Sequence, residues 1–107
     1  MTGEIVVLIT APGEDEAARI ATELVEAGLA GCVNILKNVR SIYRWQGKVE
    51  DDSEVLMVAK TRRELFAPLA KRIRALHSYS VPEIIALPVL DGSPEYLGWL
   101  REVTSGV

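Results

Sequence analysis

One cysteine and one histidine occur in 107 residues. A single cysteine excludes an internal disulfide and every Cys-x-x-Cys metal or redox site. Aromatic residues make up 6% and the formal net charge is −3. A nucleic-acid binder needs a basic face or aromatic platforms on a basic sheet, so no nucleic-acid partner is expected. No apolar run approaches the roughly 20 residues that span a bilayer, so no membrane partner is expected either. The start, Met1-Thr2-Gly3-Glu4, lacks the basic region and apolar run of a signal peptide, which predicts a cytoplasmic protein. There is no P-loop, no Gly-x-Gly-x-x-Gly and no Gly-x-Ser-x-Gly. Cys32 and His77 form only a formal nucleophile–base pair, with no legible orienting group. A binding or regulatory protein without catalytic residues is therefore expected, not an enzyme.

What is present fits one domain, residues 1–107, with 49% hydrophobic and 25% charged residues. The run Ile5-Val6-Val7-Leu8-Ile9 predicts a central strand, broken by Ala11-Pro12-Gly13. Glu14, Asp15 and Glu16 suit the positive end of a helix. Ala17, Ile20, Ala21, Leu24 and Val25 continue that helix at its period, and Gly28 ends it. Cys32 to Trp45 reads as a long strand with a bulge or bend at Lys37-Asn38. Gln46-Gly47 turns it into a return arm, Lys48 to Lys60. Thr61-Arg62-Arg63-Glu64 has the form of a capping box for a second helix. In that helix Pro68 fits only if the helix begins late, near Leu65, or is kinked. Glu83 to Val89 reads as a fourth strand, with Pro88 marking an edge or bulge. Ser93-Pro94 caps a short last helix through Leu97, Leu100 and Val103.

The order is α+β: a ferredoxin-like split β-α-β, namely β-α-β-β-α-β plus a C-terminal helix, with a long hairpin between the second and third strands. Right-handed crossovers place both long helices on one sheet face. Each hairpin arm has roughly 14 residues, or about 45 Å. A domain of this size has a radius of gyration of only about 13 Å, so Ile42, Tyr43 and Trp45 project beyond it. Exposed edges with large aromatics predict a closed homo-oligomer. The alternative is a bend at Lys37-Asn38 that folds the hairpin back.

Few side chains suit a metal. Cys32, Met57 and His77 are the soft and imidazole candidates, and Glu83, Asp91 and Glu50-Asp51-Asp52 the hard ones. One histidine and one cysteine make no tight zinc site alone, but symmetry multiplies them. Copper(II) heads the divalent affinity order and suits a sparse imidazole–carboxylate site. Otherwise His77 is a helix-end residue bonding last-turn carbonyls, Cys32 a buried structural thiol, and the acidic run a solvated patch.

Five stretches, in order, resemble the CutA divalent-cation-tolerance family. They are Leu29-Ala30-Gly31-Cys32-Val33-Asn34-Ile35, Ser41-Ile42-Tyr43-Arg44-Trp45-Gln46-Gly47-Lys48-Val49-Glu50, Lys60-Thr61, His77 through Pro88, and Tyr96-Leu97-Gly98-Trp99-Leu100. The resemblance runs from about Ile5 to Leu100. It implies a ferredoxin-like subunit in a PII-like homotrimer with sheet pairing between subunits, and a part in the response to divalent metal ions, copper above all. There would be no obligatory cofactor. It assigns metal binding to His77, Glu83 and Cys32, and a trimer-interface role to Tyr43 and Trp45. Tyr79, Lys48 and Lys60 are candidate ligand-binding residues. Those lysines motivate the alternative of a PII-like sensor of a small anionic metabolite at subunit interfaces. Two departures from the family's His-Pro-Tyr-Asp/Glu pattern stand out: Ser78 replaces the proline, which predicts a looser turn, and Ser80 removes a carboxylate.

Overall fold

The computed structural model describes residues 2–106. Strands β1 (Glu4–Ala11), β2 (Cys32–Trp45), β3 (Lys48–Arg62) and β4 (Ile84–Pro88) form one sheet in the order β2-β3-β1-β4. Every neighbouring pair is antiparallel. Helices α1 (Glu14–Glu26) and α2 (Phe66–Leu76) join the strands, and α3 (Pro94–Val103) follows β4. The α+β, ferredoxin-like order read from the sequence is the observed one.

The alternation of β1 and β3 decides which face is core. Ile5, Val7, Ile9 and Ala11 alternate with half-buried residues, and Val55, Met57 and Ala59 do the same on β3. All are buried under Ala17, Ile20 and Leu24 of α1 and Leu69 and Ile73 of α2. Glu14, Asp15 and Glu16 occupy the first turn of α1. Gly28, at φ 72°, ends it. There the Leu29 amide reaches back to the Leu24 carbonyl and the Gly28 amide to that of Val25, a Schellman closure.

The capping-box reading of Thr61 is corrected. Thr61 is still in β3, fully buried, and its hydroxyl donates to the Leu29 carbonyl at 2.7 Å. A 3₁₀ turn, Arg63–Leu65, intervenes before α2, and no side chain caps either. Pro68 then falls in the first turn of α2, where its missing N–H has no partner to lose. Thr61→Val removes the hydroxyl at nearly constant volume. It is expected to lower stability by about 1–3 kcal/mol, read as a lower urea midpoint at unchanged slope.

The opposite sheet face is only partly covered. Helix α3 lies over one end of it. Arg101 pairs with Glu4, and the Arg62 guanidinium donates to the Thr104 hydroxyl at 2.9 Å and its carbonyl at 2.7 Å. Beyond that end the pairing register aligns Leu8 with Val58 and Ile85, Val6 with Leu87, and Leu36 with Leu56 on this open face. Ile85, Leu87 and Leu36 are about half exposed. Pro88 sits at the end of β4, an edge strand, as expected.

The hairpin does not fold back. Pairing resumes after the irregularity between Leu36 and Val39 and runs to Trp45 opposite Lys48. The molecule is accordingly 44 Å long and 25 × 22 Å across. Gln46 and Gly47, at φ 51° and 80°, make the tight turn.

Candidate functional site

The bulge determines what the hairpin offers. Before it, Cys32, Asn34 and Leu36 share the open face with Lys60, Val58 and Leu56. One extra residue on β2, with Asn38 at φ 62°, reverses the parity. After it, Ser41, Tyr43 and Trp45 stand on the face of Asp52, Glu50 and Lys48, while Arg40 turns away and pairs with Asp51 at 2.6 Å. Without the extra residue Arg40, Ile42 and Arg44 would occupy that face. The bulge thus places aromatic rings beside Glu50, Asp52 and Glu54, and sends arginines to the other side.

The segment between α2 and β4 closes a cleft over this surface. It has a volume of about 560 Å³, and its walls include Thr10, Tyr43, Trp45, Glu54, Tyr79 and Glu83. Among the described residues no lysine or arginine lines it. Glu54 is 6% exposed and accepts the Tyr79 hydroxyl at 2.7 Å. The Tyr43 hydroxyl donates to Asp52 at 2.5 Å. The bond to Asp52 and the neighbouring negative charges push the Tyr43 phenol up to about 12. Burial, then the bond to Glu54, pushes the Tyr79 phenol well above the ordinary range. Both phenols therefore stay neutral donors to carboxylates.

His77 holds this segment in place. Its amide closes α2 on the Ile73 carbonyl, but its side chain, fully buried, reaches across the fold. Nε2 lies 2.7 Å from the Thr10 carbonyl, and Nδ1 accepts the Tyr79 amide at 3.0 Å. This pairing assigns the proton to Nε2. The imidazole also packs on the Tyr79 ring, centroids 4.8 Å apart. Both ring nitrogens are engaged by the backbone.

Ser78 does not loosen the turn as expected. Its amide and hydroxyl both donate to Glu16 Oε2, each at 2.9 Å, which proline in its place has no N–H to do. Burial raises the Glu16 pKa, but these two bonds, then the neighbouring His77 and Arg19, leave it below the ordinary carboxylate value. A carboxyl with a lowered folded pKa adds stability above its unfolded pKa of 4.5 and loses it as pH falls through the folded value. Glu16→Gln is therefore expected to flatten the decline in urea midpoint below pH 4.5, with little change in slope nearer neutrality.

The remaining expected site residues lie in different places. Glu83, exposed, stands at the cleft just before β4. Cys32 is half-buried rather than buried, and faces Lys60 across the strands, with the Lys60 ammonium on Asn34. That register is six residues, about 20 Å, along β3 from Glu54. Lys48 is at the hairpin tip, about 40 Å from Lys60. Tyr43, Trp45 and Tyr79 share the cleft. Within one chain, the described residues gather no three His, Cys, Asp or Glu side chains for a metal. Glu54 was the functional candidate missed, while Asp52 was named only as part of the acidic run. Their signal was the spacing of Glu50, Asp52 and Glu54 by twos, hidden in what reads as one acidic run.

Fold and cleft together define a small α+β protein with an acidic, aromatic-walled recess on the open face of its sheet. The family described as CutA1 divalent ion tolerance protein matches residues 5–103. The divalent-cation tolerance protein CutA of Thermus thermophilus is 55% identical over 101 residues, 94% of this chain and 98% of that protein. The solved structure of a divalent cation tolerance protein (Cut A1) from the same organism superposes with a TM-score of 0.92, again at 55% identity and covering 94% of this chain and 98% of that one. The chloroplastic CutA of Arabidopsis thaliana is 46% identical over 94% of this chain, which spans 55% of that protein. The chain belongs to the CutA1 divalent ion tolerance family.

Proposed function

We propose that the chain works as a homotrimer that takes up divalent cations, copper foremost, and contributes to the response to metal by binding rather than by catalysis. The observation that carries the reading is the cleft wall: carboxylates from Glu54 and Glu83, with no lysine or arginine beside them. Hard oxygen donors and negative potential suit a divalent cation. Glu83 and Glu54 would supply ligands, and His77, through Tyr79, would hold the wall. Cys32, a soft donor, suits copper(I) from its separate position. One chain offers too few donors for a complete shell, so water or a second subunit would finish it.

The half-exposed apolar face of Leu36, Ile85 and Leu87 supports assembly. So do the unpaired outer edges of β2 and β4 and the projecting Tyr43 and Trp45. A cytoplasmic location belongs to the same reading. Among the described residues no helix is long and apolar enough to cross a membrane. The anionic-metabolite alternative is not favoured by this cleft, because Lys48 and Lys60 are not in its walls.

The test is copper(II) titration against a competing chelator. Saturable binding near one ion per chain is expected, weakened about tenfold or more in Glu83→Gln by loss of a charged ligand. His77→Ala is expected to weaken it less, through the displaced wall. Unchanged affinity in Glu83→Gln defeats the placement of the site.

A further inference from the structure

Helix α2 is basic in an acidic chain. It has Lys71, Arg72 and Arg74 and no carboxylate, in a chain of net charge −3. The exposed face of a surface helix is ordinarily filled by long polar side chains. Here the exposed residues Pro68 and Ala75 are small and apolar. With Ala27 and the buried Leu29 they floor a groove of about 370 Å³ between the end of α1 and the outer face of α2, rimmed by Lys71 and Arg72. Lys71 has no carboxylate partner among the described residues. Arg72 donates one Nη1–H to Glu23 at 3.2 Å, and the rest of its guanidinium fork remains open.

The groove is built from one chain and lies on the side of the sheet away from the open face. Among the described residues, Val25 is the one large apolar side chain of α1 or α2 left exposed. An assembly that covers the other exposed apolar residues turns this layer outward, so the groove stays accessible in it. Ala27 ends α1, and among the described residues its carbonyl accepts no backbone amide. That carbonyl can take an N–H from a peptide, and it repels a phosphate. The net charge of −3 opposes a nucleic acid, and no exposed large apolar side chain stands in the groove to enter a bilayer. We propose that the groove docks an acidic segment of a partner protein: carboxylates on Lys71 and on the open N–H groups of Arg72, with apolar side chains between them against Pro68, Ala75 and Leu29. Charge complementarity and apolar contact act on the same segment. The proposal goes beyond metal uptake and holds whether or not the cleft takes copper.

The test uses the assembled protein and a short fluorescein-labelled peptide in which glutamates flank a pair of leucines, read by fluorescence anisotropy. Saturation at one peptide per chain is expected, with a Kd of about 10–100 µM. Lys71→Glu weakens binding about fivefold or more. Arg74→Glu, the same charge change on α2 outside the groove walls, weakens it less than about twofold. Ala75→Phe fills the groove at unchanged charge and weakens binding about fivefold or more. A peptide with glutamines for the glutamates binds at least about tenfold more weakly, and one with serines for the leucines at least about fivefold. No saturation by about 1 mM, equal losses in Lys71→Glu and Arg74→Glu, unchanged affinity in Ala75→Phe, or equal binding of the glutamine peptide overturns the proposal. So does binding of polyuridylate RNA or phosphatidylserine vesicles where the peptide does not bind. If a variant fails to fold or assemble, the three-peptide comparison on the parent protein decides. Copper uptake without peptide binding defeats this proposal alone. Peptide binding without copper uptake supports it and defeats the metal reading.

Discussion

Replacing Ile85 and Leu87 together by glutamate is expected to leave a folded single chain of 11.7 kDa in place of the proposed trimer. Both side chains are about half exposed on β4, so the charges meet water in an isolated chain and cost its fold little. In an assembly that covers the open face they would be buried without partners, at several kcal/mol per ion, repeated in every subunit. Light scattering gives the mass, and circular dichroism shows that the sheet persists. A variant that stays trimeric would place the interface on another surface.

The second large effect is at the contact of α3 with the start of β2. Leu100 is fully buried, and a Cβ added at Gly31 would lie 2.5 Å from its Cδ1 and 3.0 Å from Val103 Cγ2. Glycine is used there because the leucine fills the space a side chain would take. Leu100→Ala should cost about 2–5 kcal/mol through the cavity it leaves. Gly31→Ala should cost about 1–3 kcal/mol through overpacking. The two changes share one volume, so the double variant should be less destabilised than the sum. Denaturant unfolding of the three variants measures the cycle. Additive losses would show that the glycine serves some other need.

Long periodic elements were legible in the sequence because one property settles each. The alternation of Val55, Met57 and Ala59 fixes a half-buried strand, and Ile20, Ala21 and Leu24 fix a helix face. Gln46-Gly47 and Ser93-Pro94 are local signals read locally, and the last is realised as the Ser93 hydroxyl accepting the Tyr96 amide. Thr61 misled because a capping box and a strand-end threonine look alike until the Leu29 carbonyl is placed beside it. The candidate site was legible only in parts. Glu83 was named from its residue type and Tyr79 from the resemblance, but Glu54 beside them was not. Glu54 joins them because a segment 25 residues later folds over it, and one bulge residue on β2 brings Tyr43 and Trp45 to the same face. For His77 the sequence does not reveal that the Thr10 carbonyl and the Tyr79 amide stand against its two nitrogens. Tertiary juxtaposition of this kind leaves no trace in local spacing.

The most direct test of the cleft as the cation site is the pattern of amide signals broadened by sub-stoichiometric copper(II) in an amide-resolved NMR spectrum of the assembled protein. Paramagnetic broadening falls off steeply with distance, so it maps the ion without a mutation. Loss centred on the segments around Tyr43, Glu54 and Ser80 to Glu83, with Cys32, Asn34 and Lys60 retained, is the predicted result. Broadening centred on Cys32, or spread evenly over surface carboxylates such as Glu26 and Glu102, would contradict it.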